Sequence, residues 1–406
     1  LLRGTEWAAT GKVTIPPDAG PHAAADEILN ALAAYHFGEP RKSVLSLEEL
    51  VASVSGNPAQ ERALAKKLAS LLSGNFTIEA KRVLCWQLSL IGSADEVPVL
   101  AKCLANPDLN YYARLAMERM PLPEAEAALL TALKTSSGQE TLNLIDSLAA
   151  RRSSQAVPAI AKLLDEPDLA AKGMALDALG RIGGEQAASV LMAARPKLPL
   201  ELKVRGAAAL LRCAEGLAAS GNKRQAAPIL EKLTAPDEAS FIRIAAFVAR
   251  VQALGDQGAA LVSSALAGND PVLQAAAFRA LRASGNVRLA QRAAEGLGQL
   301  PAPLQLQLIA WLGELGDPSA IPVLSRAASS STPEVKQAAL SALGPVGNAS
   351  VIPLLAKAAA QGTDEDKKLI VESLVRLRGA DVDGAMIELL AKAPPAEQRE
   401  LIRALV

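Results

Sequence analysis

Six stretches, residues 171–182, 241–254, 272–283, 304–315, 335–346 and 368–377, carry apolar side chains at three- and four-residue spacing, as in Val335, Ala338, Ala339, Ala342 and Leu343. That spacing predicts amphipathic helices with one buried stripe. Ahead of several of them lies a shorter apolar stretch opened by Val-Pro or Ile-Pro, then a polar break such as Asn106-Pro-Asp108 or Glu166-Pro-Asp168. Proline suits a first helical turn, whose N–H has no intrahelical acceptor. Glycine suits the residue after the last turn, where a left-handed conformation costs it little. The chain therefore reads as pairs of helices, the second of each pair closed by Gly.

The pairs recur. Gly316-Asp-Pro-Ser-Ala-Ile-Pro-Val-Leu324 returns as Gly347-Asn-Ala-Ser-Val-Ile-Pro-Leu-Leu355, Gly92-Ser-Ala-Asp-Glu-Val-Pro-Val-Leu100 and Ser154-Gln-Ala-Val-Pro-Ala-Ile160. Pro98, Pro158, Pro322 and Pro353 share one register, and Ala128, Ala188, Pro228, Ala260, Ala290 and Ala385 fill the other stations. The steps are 30 to 32 residues except for one of 40, between Ala188 and Pro228. A helix pair of this length cannot bury its apolar face alone, so pair must stack on pair. The long step holds an extended helix over 202–219, expected to change the local curvature of the stack.

The ends read differently. Residues 1–22 form an extended leader or linker, with strand character at Gly11-Lys-Val-Thr-Ile15 followed by Pro16-Pro-Asp-Ala-Gly-Pro21. Apolar-periodic stretches at 24–37, 47–54 and 60–72 predict a helical cap over 23–75 that leads into the first pair. Repeats then occupy 76–406. A start at Leu1 and a finish at Val406 inside a helix suggest a C-terminally truncated fragment of a longer protein.

Composition narrows the chemistry. Half of the 406 residues are hydrophobic, yet only five Phe, three Trp and three Tyr occur, which fits Ala- and Leu-rich helices and excludes disorder and most all-β architectures. Lys plus Arg and Asp plus Glu are both 42, so there is no basic excess to hold a nucleic-acid backbone or an anionic membrane surface. The uncharged stretch 296–313 carries Gln299, Gln305, Gln307, Pro301 and Pro303, unsuited to membrane insertion. Cys85, Cys103 and Cys213 lack any metal or redox spacing and read as small buried residues. His22 and His36 are the two histidines, both in the cap region, so His-based metal sites and triads in the repeats are excluded. No phosphate-binding glycine loop or nucleophile elbow is present. The runs Asp95-Glu96, Asp165-Glu166 and Asp364-Glu365-Asp366 read as helix-start caps. No catalytic residue, metal or cofactor is expected.

The pattern Asp/Asn-Pro, Val-Lys/Arg, Ala-Leu-Gly, Gly-Asp/Asn-x-x-Ala-Ile/Val-Pro-x-Leu resembles HEAT repeats of the short bacterial kind, a group that includes the repeats of phycobilin lyases, over about residues 58–406. Tyr35-His-Phe-Gly38, Ala80-Lys-Arg-Val-Leu-Cys-Trp-Gln-Leu-Ser-Leu-Ile-Gly92, Asn110-Tyr-Tyr-Ala-Arg-Leu-Ala-Met-Glu118 and Leu211-Arg-Cys-Ala-Glu215 are similar to HEAT regions of large exported planctomycete and verrucomicrobial proteins. Those proteins often join the repeats to a 3-keto-disaccharide hydrolase-like or a haem-binding module. The resemblance implies an all-α solenoid, a right-handed superhelix of about eleven antiparallel helix pairs, with second helices lining a concave face. It favours an exported or periplasmic location, with a cytoplasmic one as the alternative.

Aligned second helices place Lys81, Arg114, Asn143, Lys172, Arg205, Arg243, Gln274, Gln307, Lys336 and Lys368 at one position, seven cations and three amides. Such a ladder could grip carboxylates of a partner. Alternatively each cation pairs with an acid of its own or an adjacent repeat, such as Asp108, Asp168, Asp237 or Asp366, and sets the stacking angle. Tyr111 and Tyr112, beside Lys81 and Arg114, are candidate binding anchors, with core packing as the alternative. The leading expectation is a non-catalytic scaffold binding a protein partner or a fused domain of the same polypeptide. The alternatives are an accessory repeat domain of an exported carbohydrate-active or haem-binding protein, and a phycobilin lyase-like enzyme.

Overall fold

A computed structural model describes residues 21–379 and 381–405, and no strand occurs among them. The strand character expected at 11–15 lies outside the described residues, as does the leader up to residue 20. Helix begins at Pro21, inside the stretch expected to be a linker. The chain divides into two compact units, Leu1–Ala209 and Leu210–Val406.

In the first unit, Pro21–Ala33 and Lys42–Val54 come first. Helix pairs follow: Pro58–Leu72 with Ile78–Ile91, Val97–Cys103 with Asn110–Arg119, Pro123–Leu133 with Gly138–Ala150, and Val157–Lys162 with Leu169–Ile182. Gly184–Ala194 then leads to the Leu200–Ala219 helix, within which the division falls. In the second unit, Lys223–Lys232 precedes Ser240–Leu254, and pairs continue to Val382–Leu390 with Pro395–Leu405. The all-α helix-pair solenoid expected from the spacing is the fold.

Local chemistry explains the boundaries. Short 3-10 turns at Ala94–Glu96, Ser154–Ala156, Pro318–Ala320 and Ala349–Val351 precede the Val/Ile-Pro openings, with Pro98, Pro158, Pro322 and Pro353 in the first turn of their helices. Some second helices are capped by side chains: Thr77 accepts from Ala80 N, Asp168 from Ala170 N, and Asp270 from Val272 N and Leu273 N. Thr77 also donates to Tyr35 O at 2.5 Å, which ties the turn after Pro21–Ala33 to the start of Ile78–Ile91. Leu84, Leu88, Leu100, Met117, Leu129, Leu144 and Ile145 fill the first core; Phe247, Leu281, Leu308, Ile309, Leu340 and Leu355 fill the second. Fully buried Ala276, Ala277 and Ala280 leave their neighbours room to close in.

Four expectations need correction. Pro228 does not open its helix; it lies inside Lys223–Lys232, because the long repeat starts that helix earlier. Asp165 and Glu166 lie in the turn after Val157–Lys162, and Asp168 supplies the cap. Glycine ends some second helices for two different reasons: Gly183, Gly255, Gly285 and Gly316 take positive φ, whereas Gly92 and Gly347 do not. At those two a Cβ would fall 2.5 and 2.3 Å from the Leu88 and Leu343 carbonyl oxygens, so close approach is what demands glycine there. After the Gly138–Ala150 helix no glycine is available, and Arg152 itself takes φ 54°, the single non-glycine positive φ among the described residues.

Candidate interaction surface

Second helices of successive pairs lie side by side, so side chains at one helical position meet across the repeat boundary. The ladder cations occupy that boundary in different ways. Arg114 is buried, donates to Ser147 Oγ at 2.6 Å, and Ser147 in turn donates to Glu118 at 2.8 Å. Arg205 pairs with Asp177 and lies against Gly173. Arg243, also buried, donates to Thr234 O at 3.1 Å and to the Asp270 carboxylate. Hydrogen bonding to that guanidinium holds the Asp270 carboxyl below its usual range.

The lysines are looser. Lys336 lies near enough to Asp366 to help depress its carboxyl, behind the larger effects of the Gln337 amide, at 2.6 Å, and the Thr363 backbone N–H. Lys81 and Lys172 are half-buried and Lys368 is exposed, with no carboxylate within 4.0 Å of any of them among the described residues. Of the acids proposed as partners, Asp108 pairs with Arg82 at 3.6 Å and Asp168 caps a helix, while the arginines of the ladder take Asp177 and Asp270. The amides Asn143, Gln274 and Gln307 follow no single rule; Gln274 donates to Gly268 O at 2.7 Å.

The two tyrosines belong to a larger constellation. Tyr111 and Tyr112 meet edge to face with centroids 5.1 Å apart. The Arg114 guanidinium lies 5.6 Å from the Tyr111 ring and that of Arg82 5.5 Å from the Tyr112 ring, while Arg119 stacks 4.6 Å from Trp86. Arg82 and Trp86 are one turn apart on Ile78–Ile91, and Tyr112 and Arg119 two turns apart on the adjacent Asn110–Arg119 helix. The two cation–aromatic contacts therefore cross between neighbouring helices as rungs. Tyr111 is 55% exposed, Trp86 39% and Leu90 52%, so the surface is aromatic and aliphatic with cations fixed on it. Trp311, by contrast, is buried in the second core.

Arg82 and Arg119 were absent from the ladder because it tracked one helical position. The clue available in the sequence was the stripe Arg82, Trp86, Leu90, spaced by four. No group of three or more His, Cys, Asp or Glu is placed to hold a metal ion among the described residues, and no helix there is long and apolar enough to cross a membrane.

A family model described as HEAT repeats matches residues 125–211 and 294–375. No curated protein matches the chain. Among solved structures, the karyopherin Kap121p is 13% identical, covering 99% of this chain and 50% of its own, with a TM-score of 0.44. The CpcE and CpcF complex of phycocyanin lyase from Nostoc sp. PCC7120 is 22% identical over 56% of this chain and 92% of its own, TM-score 0.30. Human deoxyhypusine hydroxylase is 18% identical over 78% and 97%, TM-score 0.29. The chain thus spans about half the length of Kap121p. The two matched stretches, each built of the repeated helix pairs, are HEAT repeats.

Proposed function

We propose that this chain is a non-catalytic interaction scaffold whose second-helix surface binds a protein partner or another domain of the same polypeptide. The observation that carries the reading is the Trp86–Tyr111–Tyr112 surface, with Arg82, Arg114 and Arg119 already seated against its rings. Aromatic and arginine side chains dominate binding energy in protein interfaces because they bury large area and lose little conformational freedom. Here stacking restrains them before any partner arrives, which reduces the ordering cost of association.

The chemistry selects the partner's side. Arg119 and Lys81 have no carboxylate within 4.0 Å among the described residues, so a segment placing Asp or Glu beside an apolar side chain complements both the charge and the rings. Lys172 in the first unit, and Lys336 and Lys368 in the second, extend the same chemistry along each unit. Arg205 and Arg243 contribute to stacking through Asp177 and Asp270. A formal charge balance of zero favours such a partner over nucleic acid.

Panning a random peptide library on the immobilised chain tests the reading. Selected peptides should carry an acidic residue next to an aromatic or aliphatic one, and Trp86→Ala or Arg119→Gln should weaken them by about tenfold or more while thermal unfolding stays unchanged. Peptides held equally well by both variants would remove this surface from the binding role.

A further inference from the structure

Two successive helix connections in the second unit line one cavity of about 430 Å3. The connection from Val287–Ala294 to Ala302–Leu315 supplies Glu295, Leu297 and Gln299, and that from Ile321–Ala327 to Pro333–Val346 supplies Ser330, Ser331 and Thr332. The Ile321–Ala327 helix packs on the Leu297–Gln299 turn, so the cavity spans a repeat boundary. Its volume lies in the range of small-ligand clefts, about 300–1,000 Å3.

The two formal charges of the lining come from the two sides of that boundary. Glu295 follows the last residue of Val287–Ala294, and Arg326 stands in the last turn of Ile321–Ala327. Neither has an ion-pair partner within 4.0 Å among the described residues, so a carboxylate and a guanidinium share the cavity without meeting. Gln305, also in the lining, donates Nε2 to Leu300 O at 2.7 Å, which fixes its amide and leaves Oε1 as an acceptor. Thr332 precedes the Pro333–Val346 helix, yet its hydroxyl makes no capping bond. Leu297 and Val323 add buried apolar wall.

We propose that this cavity binds a short peptide of dipeptide size with both termini free. Its α-carboxylate takes the Arg326 guanidinium and the Thr332 hydroxyl, its α-ammonium takes the Glu295 carboxylate, and its peptide N–H donates to Gln305 Oε1. A side chain of the peptide rests on Leu297 and Val323. The pairing of opposite charges in one small space selects this class. A nucleotide or inorganic phosphate sets its charge against Glu295, and a simple amine sets its charge against Arg326. An apolar ligand takes both charges and the Gln305 amide out of water and offers them no partner.

The test titrates the full chain with the dipeptide Ala-Leu in a calorimeter. A Kd below about 1 mM is expected, weakened about tenfold or more by acetylating the amine or amidating the carboxylate, and weakened also in free leucine, which lacks the peptide N–H. Glu295→Gln should remove the penalty of acetylation alone, and Arg326→Gln that of amidation alone, since each variant cancels one charge pair. Both side chains are exposed, so both variants should unfold at the wild-type temperature. Trp86→Ala, on the interaction surface of the first unit, should bind Ala-Leu as the wild type does. The proposal is overturned by absence of binding up to about 10 mM, by equal affinity for Ala-Leu and its blocked forms, or by leucine binding as tightly. It is overturned equally by Glu295→Gln or Arg326→Gln keeping both penalties, or by loss of binding in Trp86→Ala.

Discussion

Arg243 and Asp270 close on each other across a repeat boundary, and the carboxylate serves two masters. One oxygen takes the Arg243 guanidinium, whose side chain is 7% exposed, while the other accepts Val272 N at 3.0 Å and Leu273 N at 3.3 Å to cap the Pro271–Ser284 helix. A single acid therefore fixes both the start of a helix and its distance from the preceding one.

Asp270→Asn keeps the cap acceptor and removes the charge facing a buried guanidinium. We expect a loss of about 2 kcal/mol at neutral pH, below the usual figure for a broken buried pair because the carboxylate is 31% exposed. The folded-state pKa of Asp270 is depressed, so its contribution is complete above the ordinary Asp value near about 4 and disappears as pH falls through the depressed value. Urea midpoints of wild type and variant should converge on acidification; a gap constant from neutral to acid pH would contradict the assignment.

Arg151 closes a helix that belongs to the repeat before it. Its guanidinium donates to Met117 O at 2.7 Å, Glu118 O at 3.2 Å, Leu122 O at 2.8 Å and to Met120 O, gathering carbonyls from the end of Asn110–Arg119 and the turn that follows it. Arg151→Met keeps the aliphatic stem and takes the guanidinium from the Met117 and Glu118 carbonyls, at an expected cost of about 2 kcal/mol. Amide hydrogen exchange should quicken first in Asn110–Arg119, and uniform quickening across the chain would count against this role.

Arg152, next in sequence, stands at φ 54° where other repeats place glycine. Its side chain is exposed, so Arg152→Gly removes backbone strain and little else. After allowance for the greater freedom of glycine in the unfolded chain, we expect a gain of about 1 kcal/mol. A lowered melting temperature would show that the Arg152 side chain matters more than its backbone.

Two glycines separate close packing from mere space. At Gly347 a Cβ would lie 2.3 Å from Leu343 O and 2.7 Å from Leu377 Cδ2 and Val351 Cγ2, so Gly347→Ala should cost about 2–3 kcal/mol. At Gly173 it would meet the far end of Arg205, 2.3 Å from Nη1, which can swing away. Gly173→Ala should be nearly neutral in thermal unfolding, with about 1 kcal/mol of helix propensity offsetting a half-exposed Arg205–Asp177 pair. Equal destabilisation by the two would refute the distinction.

The helix pairs were legible because their causes are local. Apolar residues at three- and four-residue spacing, Val/Ile-Pro openings, Asp and Thr caps and the step of about 30 residues each act within a turn or two of themselves, and the stretches at 171–182, 241–254 and 335–346 became Leu169–Ile182, Ser240–Leu254 and Pro333–Val346. The same local logic missed Pro228, whose place in its helix depends on how far a longer repeat extends.

What alignment of one helical position could not decide was which side chain each cation meets. Arg114 reaches Ser147, Arg205 reaches back to Asp177 and Arg243 forward to Asp270, contacts spanning 27 to 33 residues that exist only once helix is packed on helix. The rungs Arg82–Tyr112 and Arg119–Trp86 arise in the same way. Spacing along the chain specifies the face of a helix on which a side chain lies. Its partner is chosen by the separation and rotation of neighbouring helices, which the buried Leu and Ala side chains set through close packing.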